Sequence, residues 1–468
     1  MKQRLNSCLA ASAVVFLTFL TSLATPTAVQ AAHPYRSKQV GRAPVGYQAF
    51  NLSFDEITQR IPDLASRGYT DIQVSPPQKS LDYPIWWARY QPVDFNIFEG
   101  LGNEAQFRQM TATANRYGVR VIVDTILNHM ANDHDFPDLV FPQFGPADFH
   151  FPTTRPCVQN WDDRFEATQY WLCFGTGGAL PDLDTSSPHV RKVHRAYLEK
   201  LIAFGASGFR IDAAKHIELS YFENVLKDLP GDTWVYGEIV SGRVSDEMEY
   251  APVMDVTDFP LLGSLLGVFN DGGGDLRSLA NSQSRSASIP PESAVVFARN
   301  HDTAMSSEFY NFRDSRDAVL ANAFLFARGE GTPIIYRDDY QQPLVQSGLV
   351  FYQRMNTAPT HFADAGAYCG ACNQHDLLLI ERGQPGQAKG LAIINKADHW
   401  FEASDVAAPG MAVGCYHELS YGFDVEVEAA PDGTKRFSRW GSASQRGFHL
   451  GSKTALFLTW ERDHCDKR

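Results

Sequence analysis

Asp212, Glu238 and Asp302 are three carboxylates far apart in the chain, each at the end of a short apolar run. The first belongs to Gly208-Phe209-Arg210-Ile211-Asp212-Ala213-Ala214-Lys215-His216, where a carboxylate, an ammonium and an imidazole crowd into five positions. An arginine two residues before an aspartate puts both side chains on one side of a strand. A buried ion pair would explain that stretch taken alone. The habit recurs, however. Asp124, Asn128 and His129 close another apolar run, Glu238 a third, and Asn300, His301 and Asp302 a fourth. Stability alone does not account for four such run ends. Carboxylate pairs cleave glycosidic bonds, one acting as nucleophile or base and the other as acid. Crowding raises the pKa of one of them and keeps it protonated near neutrality. Three carboxylates also hold divalent metals. Arg210 argues against that use, because a guanidinium supports an anion and repels a cation.

The runs that carry these residues alternate with helical patterns. Strands are expected at Val45–Phe50, Asp71–Ser75, Val119–Asp124, Gly208–Asp212, Trp234–Val240, Val253–Thr257, Ala294–Ala298 and Gly331–Tyr336. Nearly all-apolar runs such as 119–123 suit strands buried on both faces. Between them, Ser53 with Glu56 and Asn103 with Gln106 are capping signals, Gly68, Gly118 and Gly205 are stops, and Ser187-Pro188 opens a helix. Eight strands alternating with helices predict a (β/α)8 barrel, whose polar strand ends collect at one mouth. The alternation lapses from His129 to Asp184, which predicts an inserted subdomain. From about residue 366 short alternating runs predict an all-β sandwich. The expected division is a leader at 1–31, the barrel at 32–128 and 185–365, the insertion at 129–184 and the sandwich at 366–468.

The chain has 468 residues, 44% hydrophobic and 20% charged, with a formal net charge of −13. That balance describes a globular protein and offers no basic surface for nucleic acid. Lys2 and Arg4, the apolar run 9–20 and the small residues ending at Ala31 form an export signal too short for a membrane anchor. An extracellular or periplasmic protein without a membrane span is expected, as a monomer. Of seven cysteines, Cys8 falls in the leader, and an even set in an exported chain favours disulfides. Six cysteines allow fifteen connectivities. Proximity favours Cys157–Cys173, and a structural Cys369–Cys372 pair would leave Cys415–Cys465. The stretch Trp86-Trp87-Ala88-Arg89-Tyr90, in the loop after the second strand, supplies aromatic planes of the kind that stack on sugar rings.

The stretches Asp124–His129, Gly208–His216, Tyr236-Gly237-Glu238 and Phe297–Asp302 resemble, in order, the four signature regions of the α-amylases, glycoside hydrolase family 13. Leu180–Asp184 resembles a fifth region, and Gln73–Pro77 with Trp86–Pro92 is similar to the animal-type members. The resemblance covers roughly 45 to 465. It implies an exported enzyme that cuts α-1,4-glucans internally by double displacement. Asp212 matches the nucleophile, Glu238 the acid and base, and Asp302 the third carboxylate. Arg210 matches the residue that keeps Asp212 ionised. His129 and His301 match histidines on sugar hydroxyls, Lys215 and His216 the leaving-group side, and Trp86, Trp87 and Tyr90 the aromatic platform.

The family also implies a structural calcium ion, with Asn128 and Asp182 as side-chain ligands and His216 as a carbonyl ligand. A fourth ligand would fall at Trp171, which has only its carbonyl to offer. Chloride binding is not expected: Arg210 and Asn300 match two of its usual ligands, but Ile334 stands where a second arginine belongs. The glycine-rich loop usual after the third carboxylate is replaced by Thr303–Ser307. A transglycosylase or a maltose-forming enzyme would share every catalytic residue. A non-catalytic glucan-binding protein would have no use for Glu238.

Overall fold

A computed structural model describes residues 43–466, apart from 134, 175–177, 271–272, 281–287, 307–308, 371, 373–374 and 442–447. The expected leader lies outside the described residues. Among the described residues, no helix is long and apolar enough to cross a membrane.

Eight strands form a closed parallel barrel: β1 (Gly46–Ala49), β2 (Asp71–Val74), β3 (Arg120–Ile126), β4 (Gly208–Asp212), β5 (Trp234–Gly237), β6 (Asp255–Thr257), β7 (Ala294–Val296) and β8 (Thr332–Tyr336). Each strand pairs with the next, and β1 returns to β8 with Gly46 opposite Ile334. All eight fall where the apolar runs place them. Side chains on one strand face fill the barrel and those on the other meet the helices, so both faces need apolar residues. The helices start and stop on local signals. α1 (Phe54–Arg67) opens on a capping box in which Ser53 and Glu56 satisfy each other's backbone N–H groups, and it ends at Gly68 with φ of 100°. α2 (Glu104–Arg116) opens on the same device at Asn103 and Gln106. Such caps contribute about 1 kcal/mol each. Gly208 is required by contact: a Cβ there would lie 2.1 Å from the Trp234 carbonyl oxygen.

The connection after β2 is more ordered than a loop. It is a hairpin, Gln78–Ser80 against Pro92–Phe98, with Trp86–Tyr90 wound into a 3-10 turn between the strands. Within 129–184 lie a short helix, Arg164–Gln169, and a hairpin, Leu172–Phe174 with Gly178–Leu180. The Cys157–Cys173 disulfide joins that hairpin to the segment before the helix.

The C-terminal part is a seven-stranded antiparallel sheet with edges at Thr360–Ala363 and Lys435–Trp440, accompanied by a ribbon of Phe401–Ala403 and Phe448–Leu450. Its first strand begins ahead of the expected boundary at 366, because Thr360–Ala363 pairs with Leu377–Gln384. The sheet shares a core with the barrel helices: Leu378, Ile380, Ala392, Ile394 and Phe457 join the cluster that holds Phe324, Phe326 and Phe351. Cys369–Cys372 and Cys415–Cys465 are the remaining disulfides.

Candidate active site

The barrel mouth holds a cavity of about 830 Å³. Asp212, Glu238 and Asp302 all line it, with Trp86, Trp87, Tyr90, His129, Lys215 and His216. Three barrel strands and the residues just beyond them deliver the carboxylates. Asp212 ends β4, Glu238 directly follows β5, and Asp302 lies in the first turn of a short helix, His301–Met305, after β7. Local geometry brings the first two together. Ala213 has φ of 49°, a left-handed conformation that turns the chain sharply after Asp212. Its N–H donates to Glu238 Oε2 at 3.2 Å. Gly237 makes room for the same turn, since a Cβ there would lie 2.9 Å from Ala214 Cβ.

Beneath these carboxylates lies Arg210, 3% exposed. Its Nη1 donates to Asp212 Oδ1 at 2.7 Å and to Asp124 Oδ1 at 2.7 Å, and its Nη2 is paired with Glu238 Oε1. Asp124 is buried and also accepts from Tyr90 Oη at 2.9 Å and Gln73 Nε2 at 3.2 Å. Burial and neighbouring carboxylates push Asp212 up to about 8, with Arg210 pulling the other way. Burial, then the charge of Glu238, raises Asp302 well above the carboxylate range. Burial thus raises Asp124, Asp212 and Asp302 together, and the attraction of Arg210 opposes that rise at each of them.

Burial disfavours the charged form of the three histidines at the mouth. Burial lowers His129 and His216 to about 4 and His301 well below its ordinary value. His129 Nε2 lies 3.1 Å from the Tyr90 carbonyl, and His216 Nδ1 2.8 Å from the Ala167 carbonyl of the insertion. Lys215 donates to the Val240 carbonyl. His301 is 1% exposed and packs against both Tyr90 and Phe50, 4.7 and 4.8 Å away. Its Nε2 faces Asp302 Oδ2 at 3.3 Å and its Nδ1 meets Gln48 Nε2 at 3.2 Å. Arg210 and His301 are thus absent from the cavity wall; they hold the groups that form it.

Aromatic rings that the sequence did not single out stand in the walls or behind them. Tyr83 stacks on Trp87 at 6.0 Å, and Phe174 lies 6.4 Å from Trp87. Trp161 stands edge-on to His216 at 5.6 Å. Trp161 and Phe174, from the insertion, also line the cavity. They had no strand end to flag them, and only their number in a segment without periodicity was visible.

Asn128 and Asp182 meet directly, with Asn128 Nδ2 donating to Asp182 Oδ1 at 3.1 Å. Asn128 Oδ1 is buried with no hydrogen-bond partner. Asp182 is pushed up to about 7 by burial. His150, unforeseen in the sequence, reaches Asp182 Oδ2 at 2.7 Å and Asp184 Oδ1 at 3.3 Å. The Trp171 carbonyl accepts from the Val158 N–H.

The family model "Alpha amylase, catalytic domain" matches residues 53–255. An α-amylase from Aeromonas hydrophila is 30% identical over 416 residues, covering 77% of this chain and 86% of the relative. An α-amylase from Tenebrio molitor is 33% identical over 297 residues, 58% of this chain and 61% of the relative. A mutant α-amylase I from Eisenia fetida, solved with maltohexaose, superposes with a TM-score of 0.73 at 22% identity, covering 91% of this chain and 99% of that one. The barrel, its mouth and these likenesses agree: the chain belongs to the α-amylase family of glycoside hydrolases.

Proposed function

We propose that this chain is an exported α-amylase that hydrolyses internal α-1,4 bonds of starch- or glycogen-type glucans with retention at the anomeric carbon. The observation that carries the proposal is the convergence of Asp212, Glu238 and Asp302 on one aromatic-walled cavity, over a single buried guanidinium. Asp212 attacks the anomeric carbon as the bond to the leaving oxygen breaks, and Glu238 gives that oxygen its proton. Glu238 then takes a proton from water, whose oxygen displaces Asp212 from the same carbon. Asp302 holds ring hydroxyls as positive charge develops, and His301 fixes Asp302 from behind. Neutral His129 serves sugar hydroxyls, and Lys215 and His216 lie on the leaving-group side. Trp86, Trp87 and Tyr90 form the sugar platform. A maltohexaose complex of the Eisenia fetida enzyme supports a glucan-sized ligand for this fold.

Product analysis on soluble starch tests the assignment. Wild type should release reducing ends, and Glu238→Gln should lower the rate by about 10²–10⁴. Equal rates would remove Glu238 from the acid role, and a wild type that releases none would end the hydrolase proposal.

The proposal includes residues 1–31 as the export signal and the division into barrel, insertion and C-terminal domain given above. It also includes calcium. The orphaned Asn128 Oδ1 and the buried Asp182 carboxylate are hard oxygen donors that fit the ion, and the His216 carbonyl would be the third. The Trp171 carbonyl, already accepting a hydrogen bond, is left out. Held by these residues, calcium would supply positive charge between the loop after β3 and the insertion. Chelation should lower the melting temperature by about 5 °C or more; a shift within error would remove the ion. No chloride dependence is proposed, since Ile334 packs inside the barrel with Trp234 and Tyr236.

A further inference from the structure

Lys215 and His216 line the cleft from a turn that the barrel alone does not hold. β4 ends at Asp212, and the chain then makes one 3-10 turn, Ala214–His216. Within it the His216 N–H donates to the Ala213 carbonyl at 2.9 Å, and the Ile217 N–H donates to the Ala214 carbonyl at 3.2 Å. The carbonyls of Lys215 and Ile217 need donors too, and they take them from other parts of the chain.

The donors come from the insertion. Arg164, the first residue of the short helix Arg164–Gln169, donates from Nη1 to the Lys215 carbonyl at 3.1 Å and from Nη2 to the Ile217 carbonyl at 3.2 Å. Tyr250, which is buried, closes the arrangement: its Oη lies 2.9 Å from the Lys215 carbonyl oxygen and 3.2 Å from that of Ile217, and it accepts from Arg164 Nη1. The guanidinium lies 5.0 Å from the centre of the Tyr250 ring. Further along the same helix, the Ala167 carbonyl meets His216 Nδ1 at 2.8 Å, and Gln169 Nε2 donates to Glu218 Oε1. One helix of the insertion thus grips the run from Lys215 to Glu218, residue by residue.

A rigid fork of two N–H groups on two carbonyls fixes the peptide planes between them. It thereby fixes the directions in which the Lys215 and His216 side chains leave the backbone. Lys215 is held from the other side as well, where its N–H donates to the Glu238 carbonyl at 3.3 Å and its Nζ to the Val240 carbonyl at 3.2 Å. The turn is therefore strung between the insertion and the segment that carries Glu238. Arg164 itself is exposed, so replacing it should leave the core unaltered.

We propose that Arg164 is a positioning residue: through the carbonyls of Lys215 and Ile217 it aims the Lys215 and His216 side chains at the sugar on the leaving-group side, so that the insertion sets how tightly that sugar is held. The proposal rests on the leaving-group reading of Lys215 and His216. The test compares two substrates on the whole chain, with calcium in every assay because the His216 carbonyl belongs to the gripped turn. Maltoheptaose puts sugar on both sides of the cut bond. Chloronitrophenyl α-maltotrioside has an aryl leaving group without sugar hydroxyls. Arg164→Met should lower kcat/KM on maltoheptaose about tenfold, as the loss of one sugar hydrogen bond would, and leave the aryl glycoside within about twofold of wild type. Arg164→Lys, with one donor centre in place of a fork, should lie between the two on maltoheptaose. Tyr250→Phe should show the same split on a smaller scale. Equal losses on both substrates overturn the proposal in favour of a merely structural arginine, and unchanged values on both overturn it as well. If Arg164→Met does not fold, Tyr250→Phe decides: without a larger loss on maltoheptaose than on the aryl glycoside, the proposal falls. Lys215→Met separates the two readings, since it should lose more on maltoheptaose than on the aryl glycoside. If it does and Arg164→Met does not, the positioning role alone is overturned. If it does not, the leaving-group reading falls and the proposal with it.

Discussion

Asp212→Asn should lower kcat/KM on soluble starch by about ten-thousandfold or more, because it removes the atom that forms the covalent intermediate. The fold should not suffer. Asparagine has nearly the same volume, and its carbonyl oxygen can still accept from Arg210 Nη1. The substitution also removes one of four crowded carboxylates, so the melting temperature should hold or rise. Reducing-end release and thermal unfolding on one preparation separate the two effects. Activity within tenfold of wild type would show that another group attacks the sugar. A large fall in melting temperature would show that Asp212 serves the fold.

Arg210→Met should do the reverse and damage the fold as well as the reaction. The guanidinium is the direct ion partner of Asp124, Asp212 and Glu238. Removing one member of a buried ionic cluster leaves charges without compensation, at a cost of about 3–5 kcal/mol. Methionine fills part of the space but offers no donor. The sign of the pH effect follows from the charge. Loss of a cation raises the pKa of every carboxylate around it, so ionised Asp212 forms only at higher pH and the acid limb of the rate profile moves up. Chemical denaturation at neutral pH and a pH–rate profile measure both effects. A stability loss under about 1 kcal/mol, with the acid limb unmoved, would show that Arg210 is not the counter-ion.

The catalytic geometry was legible because it follows the barrel's own logic. Apolar runs mark strands, and a parallel barrel sends the residue after each run to one mouth. The grouping of Asp212, Glu238 and Asp302 therefore follows from the order of the runs alone. Arg210 was legible through the two-residue period of a strand. Its reach to Asp124 and Glu238 was not, since that depends on the register of β3, β4 and β5. His301 is expected against sugar, whereas the structure buries it beside Asp302 and against the Tyr90 and Phe50 rings. Chain position shows which end of the barrel a side chain serves, not its depth there. The hairpin carrying Trp86–Tyr90 has no clear strand signal in the sequence, because Pro92 opens its long strand. His150, Trp161 and Phe174 lie in the insertion, where no regular period assigns a direction to a side chain.

The pairing of β1 with β8 has a consequence for when the enzyme becomes active. Gly46 must find Ile334, so the ring closes only after most of the chain is available. Contacts this distant in sequence form late and slowly. Until then β1 presents an unpaired edge, and Gln48 on β1 has not met His301. A partly emerged chain can hold Arg210 beside Asp212 but not Asp302 beside them. Until the last barrel strand is in place, the chain would carry its candidate catalytic groups without a complete cleft.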